Sequence, residues 1–238
     1  MYFLLDANVT AGYYLPRCLN SKLAQSRIQN IFDSVRSGAT NHFFYIPNFC
    51  VADVFSVFMK HAYGSWNRHV RHSGTIDKRV YNSLVRQFQY DIHNGRFLYH
   101  YELSRYHVLG INLVAPIDHY YQYSRRNKNV SPMGTFDHLI ISMGIHLAHI
   151  HGPDNVAIIS ADDRLTNILS RCKSAIPQAT LRKLKLNIAE EVTGKPFSPS
   201  LFPCHLNLKA KGNAQLKNLF GAWPLTVGKV SNTYRWAK

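Results

Sequence analysis

Acidic residues are scarce in this chain, with 13 Asp and Glu against 28 Lys and Arg in 238 residues, a formal net charge of +15. Cysteines are few as well. Cys18, Cys50, Cys172 and Cys204 lie far apart, without the paired spacing of a zinc site or the density of a disulfide framework. Reduced thiols in a cytoplasmic protein are the expectation. Long apolar runs are also missing: no stretch approaches the ~20 residues of a membrane helix. The opening Met1-Tyr2-Phe3-Leu4-Leu5 run stops at Asp6 with no basic region before it, so neither a membrane span nor a signal peptide is readable. Internal repeats and low-complexity blocks are absent. Core material is ample, with 46% apolar and 13% aromatic residues, and one large globular domain or a domain with an extension is expected.

The charge is segregated along the chain. Lys and Arg against Asp and Glu number 4 against 3 over residues 1–59, 11 against 4 over 60–130, none against 4 over 131–163, and 13 against 2 over 164–238. A central acidic segment framed by basic ones suits a metal centre flanked by surfaces that attract a polyanion, with nucleic acid the first candidate. A basic balance also serves solubility, an acidic protein partner or a membrane surface.

Local patterns alternate strands and helices. Tyr2-Phe3-Leu4-Leu5 reads as a buried strand closed by Asp6, and Asn20-Ser21 as the cap of a helix to about Arg36. A strand at Phe43-Phe44-Tyr45-Ile46 precedes a helix from Phe49 to about Tyr63, and Asp77 caps another that ends near Asn94-Gly95. Between 96 and 132 the pattern predicts a strand at Phe97–Tyr101, an apolar stretch at Ile111–Ala115 and a short aromatic helix after Pro116. A helix from Gly134 to about His151, a strand at Val156–Ser160 and a helix from Asp162 to Cys172 complete the pattern. The expectation is an α/β fold with a mainly parallel sheet over residues 1–172, a basic helical insertion over 60–132, and a basic, Pro-interrupted extension over 173–238. That extension either packs back through its aromatics or serves as an RNA-binding arm.

Four of the scarce acids, Asp6, Asp53, Asp137 and Asp162, lie in or against apolar runs. An unpaired buried carboxylate costs several kcal/mol, so such groups normally have a cation partner. Asp6 and Asp162 each follow an apolar strand, where open α/β sheets form ligand sites. Asp137 shares a helix face with Ile140, Ile141, Gly144 and Ala148, and Asp53 with Phe49, Cys50 and Val57. Each has an ordinary structural use: Asp6 and Asp162 as helix caps, Asp137 against a helix dipole. Taken together, clustered carboxylates repel unless a cation lies between them, and hard oxygen donors favour Mg²⁺ or Mn²⁺.

The words around these acids resemble the PIN-domain nuclease family: Leu5-Asp6-Ala7-Asn8-Val9 after the first strand, Asp53 in the helix after the second, Gly134-Thr135-Phe136-Asp137 opening a helix, and Ile158-Ile159-Ser160-Ala161-Asp162-Asp163-Arg164-Leu165. The match covers roughly residues 1–172. The resemblance implies a PIN-like three-layer α/β/α fold, a site of four acids that binds Mg²⁺ or Mn²⁺, and hydrolysis of RNA. It also implies a toxin role with an antitoxin or inhibitor protein as partner. Two departures stand out: the second acid is Asp53 where the family usually has Glu, and the interval from Asp53 to Asp137 is longer than in compact toxins.

The implied reaction is metal-assisted attack of water on a phosphodiester, with Asp6, Asp53, Asp137 and Asp162 as ligands and catalytic residues. Asp163 is a candidate for a further metal or water, and Asn8, Ser160 and Thr135 for orienting the ligands. Arg68, Arg71, Arg125, Arg126 and Lys128, amid Trp66, Tyr120, Tyr121 and Tyr123, suit phosphate pairing and base stacking. Of the 13 histidines, His138 beside Asp137 is the candidate for catalysis. Two other classes stay open: a non-cleaving nucleic-acid-binding module, and a structure-specific DNA nuclease, since phosphates attract cations in either polymer. Copies of the chain itself are a further candidate partner.

Overall fold

Short β-rich words flanked by Asp, Pro and Gly build the strands, and capped amphipathic stretches build the helices. The computed structural model describes residues 1–16, 22–40, 42–63, 76–95, 97–124, 131–177, 179–180 and 202–208. In chain order the elements are β1 (Tyr2–Leu5), α1 (Ala7–Tyr14), α2 (Lys22–Arg36), β2 (Phe43–Pro47), α3 (Asn48–Tyr63), α4 (Lys78–Asn94), β3 (Leu98–Tyr101), α5 (Arg105–Ser124), α6 (Thr135–His151), β4 (Val156–Ser160), α7 (Asp163–Ala175) and β5 (Cys204–Asn207). The strand order is β3-β2-β1-β4-β5. Strand β2 pairs with β3 in parallel, Phe44 opposite Leu98, and β4 pairs with β5 in parallel, Ala157 opposite Cys204. The α/β class with a parallel sheet is therefore as expected.

Two compact units divide the chain, one of residues 1–4 and 102–207, the other of 5–101 and 208–238. In the second unit, Tyr13, Phe32, Phe44 and Phe97 form a buried aromatic cluster, with the Phe32 and Phe44 ring centroids 4.7 Å apart. Helix α4 shows both of its expected end signals. The Asp77 side chain accepts from the Val80 N–H at 2.8 Å, and Gly95 takes the left-handed conformation, φ 57°, that ends a helix without a Cβ clash. Its inner stripe is Leu84, Phe88 and Asp91.

In the first unit, α6 is buried on every side from His138 to Ala148, and Ile158 and Ile159 of β4 are likewise buried. Gly144 lets the helix and strand approach. A Cβ there would stand 2.5 Å from Cδ1 and 2.8 Å from Cγ1 of Ile158, and 3.3 Å from Cγ of Pro203. Because Ile158 is itself fully buried, Gly144→Ala is expected to destabilise the protein by about 1–3 kcal/mol through overpacking. A lower urea midpoint at unchanged slope checks this; an unchanged midpoint contradicts it.

One expectation is corrected, and two regions are described more finely. Residues 105–124 form one helix, not an apolar stretch followed by a short helix after Pro116; Pro116 lies inside α5 on its exposed side. The buried stripe of α5 is His107, Gly110, Val114, Asp118 and Tyr121, a helical spacing hidden by the polarity of its members. The strand expected at Phe97–Tyr101 within the 60–132 region is β3, which pairs with β2. Within the 173–238 segment, the Cys204–Asn207 stretch is a strand of the sheet, paired with β4. Leu206 fills the apolar side of that strand.

Candidate functional site

Asp6 and Asp53 belong to the unit of residues 5–101 and 208–238, and Asp137, Asp162 and Asp163 to the unit of residues 1–4 and 102–207. Asp6 follows β1 directly and is 5% exposed. Its backbone carbonyl accepts from the Val9 and Thr10 N–H groups, each at 3.1 Å, and from the Thr10 hydroxyl at 3.2 Å. The Asp6 carboxylate does not cap α1, so the ordinary use of Asp at this position is not the one made here. Asn8 is exposed.

Asp53 is half-buried on α3, beside the buried stripe of Cys50, Val54 and Phe58. Burial pushes its carboxyl pKa above the usual range, and Lys60 opposes this. A carboxylate raised by desolvation is one that an added cation would stabilise. Asp137 is half-buried in the first turn of α6, its N–H donating to the Gly134 carbonyl at 3.1 Å, while Thr135 is exposed. The cap position is Gly134, so the Thr135 side chain does not serve as the cap.

The end of β4 is organised by Ser160 and Asp162. The fully buried Ser160 hydroxyl accepts from the Asp162 N–H at 2.9 Å, and Oδ1 of Asp162 accepts from the Arg164 N–H at 2.8 Å as the cap of α7. Ser160 thus fixes the Asp162 backbone. Asp163 is exposed and its carboxylate accepts from the Asn207 side-chain amide, a tie between α7 and β5. Among the described residues, no group of three or more His, Cys, Asp and Glu side chains could hold a metal ion. Arg68, Arg71, Arg125, Arg126, Lys128 and Trp66 lie outside the described residues. Tyr120 is 75% exposed, whereas Tyr121 is buried with the Arg171 guanidinium 3.7 Å from its ring centroid.

Two deeply buried acids escaped the sequence pattern. Asp118 on α5 is fully buried; Oδ2 accepts from the Met133 N–H at 2.6 Å and lies 3.1 Å from Nε2 of His138. His138 is thus a strut between α5 and α6, 5% exposed, and not a base presented to solvent. Asp91 on α4 accepts from the Tyr14 hydroxyl at 2.6 Å and from Arg36 Nη2 at 2.5 Å, and Arg36 also lies 4.6 Å from the Phe97 ring centroid. Both acids occupy the inner stripes of their helices, and that register is the signal that could have found them.

A chain of histidines crosses from α5 to α6. The Ser104 N–H donates to Nδ1 of His107 at 2.9 Å, which leaves the His107 proton on Nε2, facing Nδ1 of His146 at 3.1 Å. The Ser142 hydroxyl donates to the His107 carbonyl at 2.7 Å, and Gly110 faces Ser142 so closely that no Cβ fits between them. Burial holds His107 down at about 3, His146 at about 4 and His149 at about 3; proximity to His146 lowers His107 and His149 further. These rings are neutral at physiological pH. Neutral and buried, His107 and His146 join helix to helix through their hydrogen bond.

No family model, no curated protein and no solved structure matches this chain. The chemical inventory therefore stands on its own residues: buried or half-buried carboxylates after β1 and β4 and near the start of α6, one on α3 with a raised pKa, and a strongly cationic chain around them.

Proposed function

We propose that this protein is a PIN-like, metal-dependent endoribonuclease that uses Asp6, Asp53, Asp137 and Asp162 to hold Mg²⁺ or Mn²⁺. The observation that carries the reading is Asp6: a 5% exposed carboxylate at the carboxyl end of a parallel-sheet strand. Carboxylate oxygens are the donors these hard cations take; among the described residues such side chains are not gathered into a group of three or more as they stand, so the reading rests on donor type and not on a formed metal cluster. When bound, the ion would supply Lewis acidity and an activated water for phosphodiester hydrolysis. The chain's own residues contribute the rest. Ser160 fixes the backbone that presents Asp162, and the net charge of +15 attracts the RNA backbone. A toxin role with an antitoxin or inhibitor partner, in a cytoplasmic setting, belongs to the same proposal. Cys50, Cys172 and Cys204 are free thiols, as that setting requires, and no described helix is long and apolar enough to cross a membrane.

A second reading, a non-cleaving nucleic-acid-binding module, is favoured by the capping bond of Asp162, an ordinary structural use of that acid. Labelled single-stranded RNA, single-stranded DNA and duplex DNA, each incubated with Mg²⁺, Mn²⁺ or chelator, separate the readings. Asp6→Asn and Asp137→Asn are each expected to slow metal-dependent RNA cleavage about 100-fold or more, the loss of several kcal/mol of transition-state stabilisation. Cleavage undiminished in both variants removes the site. Binding by the wild type without cutting supports the module.

A further inference from the structure

Helix α4 presents two faces of different chemistry. Leu84, Phe88 and Asp91 are buried, and Asp91, the only acid between Lys78 and Asn94, is held by Arg36 and Tyr14. The opposite side carries Arg79, Asn82, Ser83, Arg86, Gln87 and Tyr90, all exposed, along an open hollow. Their positions repeat at three, four, seven, eight and eleven residues from Arg79, so they form one stripe. Helix rise sets the two guanidiniums about 10 Å apart along the axis and Tyr90 about 6 Å beyond Arg86. Among the described residues, neither Arg79 nor Arg86 is paired with a carboxylate.

We infer that this face of α4 is a contact surface for single-stranded RNA. Arg79 and Arg86 pair with successive stretches of the phosphate backbone, Asn82, Ser83 and Gln87 offer hydrogen bonds to sugar and base edges, and Tyr90, 64% exposed, supplies a ring for base stacking. Charge complementarity selects the occupant: the stripe holds two cations, no acid and three neutral polar groups, on a chain of net charge +15. It has no aliphatic side chain. A protein interface needs an apolar centre, and a helix lying in a membrane surface needs an apolar face, and this stripe provides neither. The inference rests on RNA being the substrate of the proposed function, but not on the metal chemistry.

The test is fluorescence anisotropy of the full chain with a fluorescein-labelled oligouridylate of about 12 nucleotides, in excess EDTA so that cleavage plays no part. Arg79→Glu with Arg86→Glu is expected to weaken binding more than tenfold. The neutral pair Arg79→Gln with Arg86→Gln should lower the slope of log affinity against log salt by about 1.4, two phosphate contacts on a single strand. Tyr90→Ala should weaken binding about fivefold or more with that slope unchanged. Arg105→Glu with Lys173→Glu, an equal change of charge elsewhere, is the control, and thermal melting of every variant confirms folding. Equal losses in the control and α4 pairs overturn the surface, as does failure of the wild type to bind RNA, or binding only to phosphatidylserine vesicles. RNA binding that is α4-dependent without cleavage in Mg²⁺ or Mn²⁺ overturns the nuclease reading and leaves this surface standing.

Discussion

Asp118→Ala is expected to destabilise the protein by about 3–5 kcal/mol, roughly a fifth to all of the stability of an ordinary domain. Asp118 is fully buried, and its Oδ2 serves both the Met133 N–H and the His138 ring. Removal leaves a buried N–H and a buried imidazole that neither water nor a neighbour can satisfy. Asp118→Asn should fall between wild type and Ala, because the amide oxygen still accepts one bond. Asp118→Leu with His138→Phe is expected to recover part of the loss, since replacing both partners removes the stranded ring; the Met133 N–H keeps the recovery incomplete. Urea unfolding with a double-mutant cycle measures all four. A loss under 1 kcal/mol for Asp118→Ala would show that the dyad contributes little to the packing of α5 on α6.

The second large effect is acid lability. Burial holds the His107, His146 and His149 rings down at about 3, 4 and 3, each below the ordinary histidine value of 6.5. Between those values the unfolded chain binds more protons than the folded one, so stability that is full above pH 6.5 falls as pH drops towards the folded values. Each histidine contributes up to about 1.4 kcal/mol per pH unit over that interval, and the three together make unfolding steep. His61 and His205, also lowered by burial, act with the same sign. Unfolding free energies between pH 7 and 4.5 should give a proton uptake of about three or more, falling by about one in His149→Leu. A flat profile over that range contradicts neutral burial of the cluster.

Elements with local signals were legible, and those built from polar residues were not. The Asp77 cap and the Gly95 stop define α4 in the sequence and in the structure alike, because both act through bonds within a turn. The strand Val156–Ser160 is equally plain, since all five residues are buried. Helix α5 was obscured because its inner stripe contains His107, Gly110 and Asp118, residues that hydropathy counts as outward. They face inward because each has a specific neighbour there: His146, Ser142 and His138 respectively. Strand β5 was obscured by the prolines around it, and its pairing is set by β4, far away in sequence. Of the candidate acids, Asp6 is as deeply buried as its apolar run suggested, while Asp53, Asp137 and Asp162 are half-buried. The acids that burial marks most strongly beside Asp6 are Asp91 and Asp118, and each is neutralised or tied by a partner that only the tertiary fold brings near.

The position of β5 has a consequence for how the chain comes into being. Strand β4 is complete at Ser160, but the partner for its outer edge begins at Cys204. During synthesis at ~5–20 residues per second, the β4 ladder therefore waits several seconds with one row of amide and carbonyl groups unpaired. Val156-Ala157-Ile158-Ile159 is an apolar, β-prone edge, the kind on which a second nascent chain adds itself as a strand. The late tetrapeptide Cys204–Asn207 is thus a latch against misassembly between chains as well as a strand of the finished sheet.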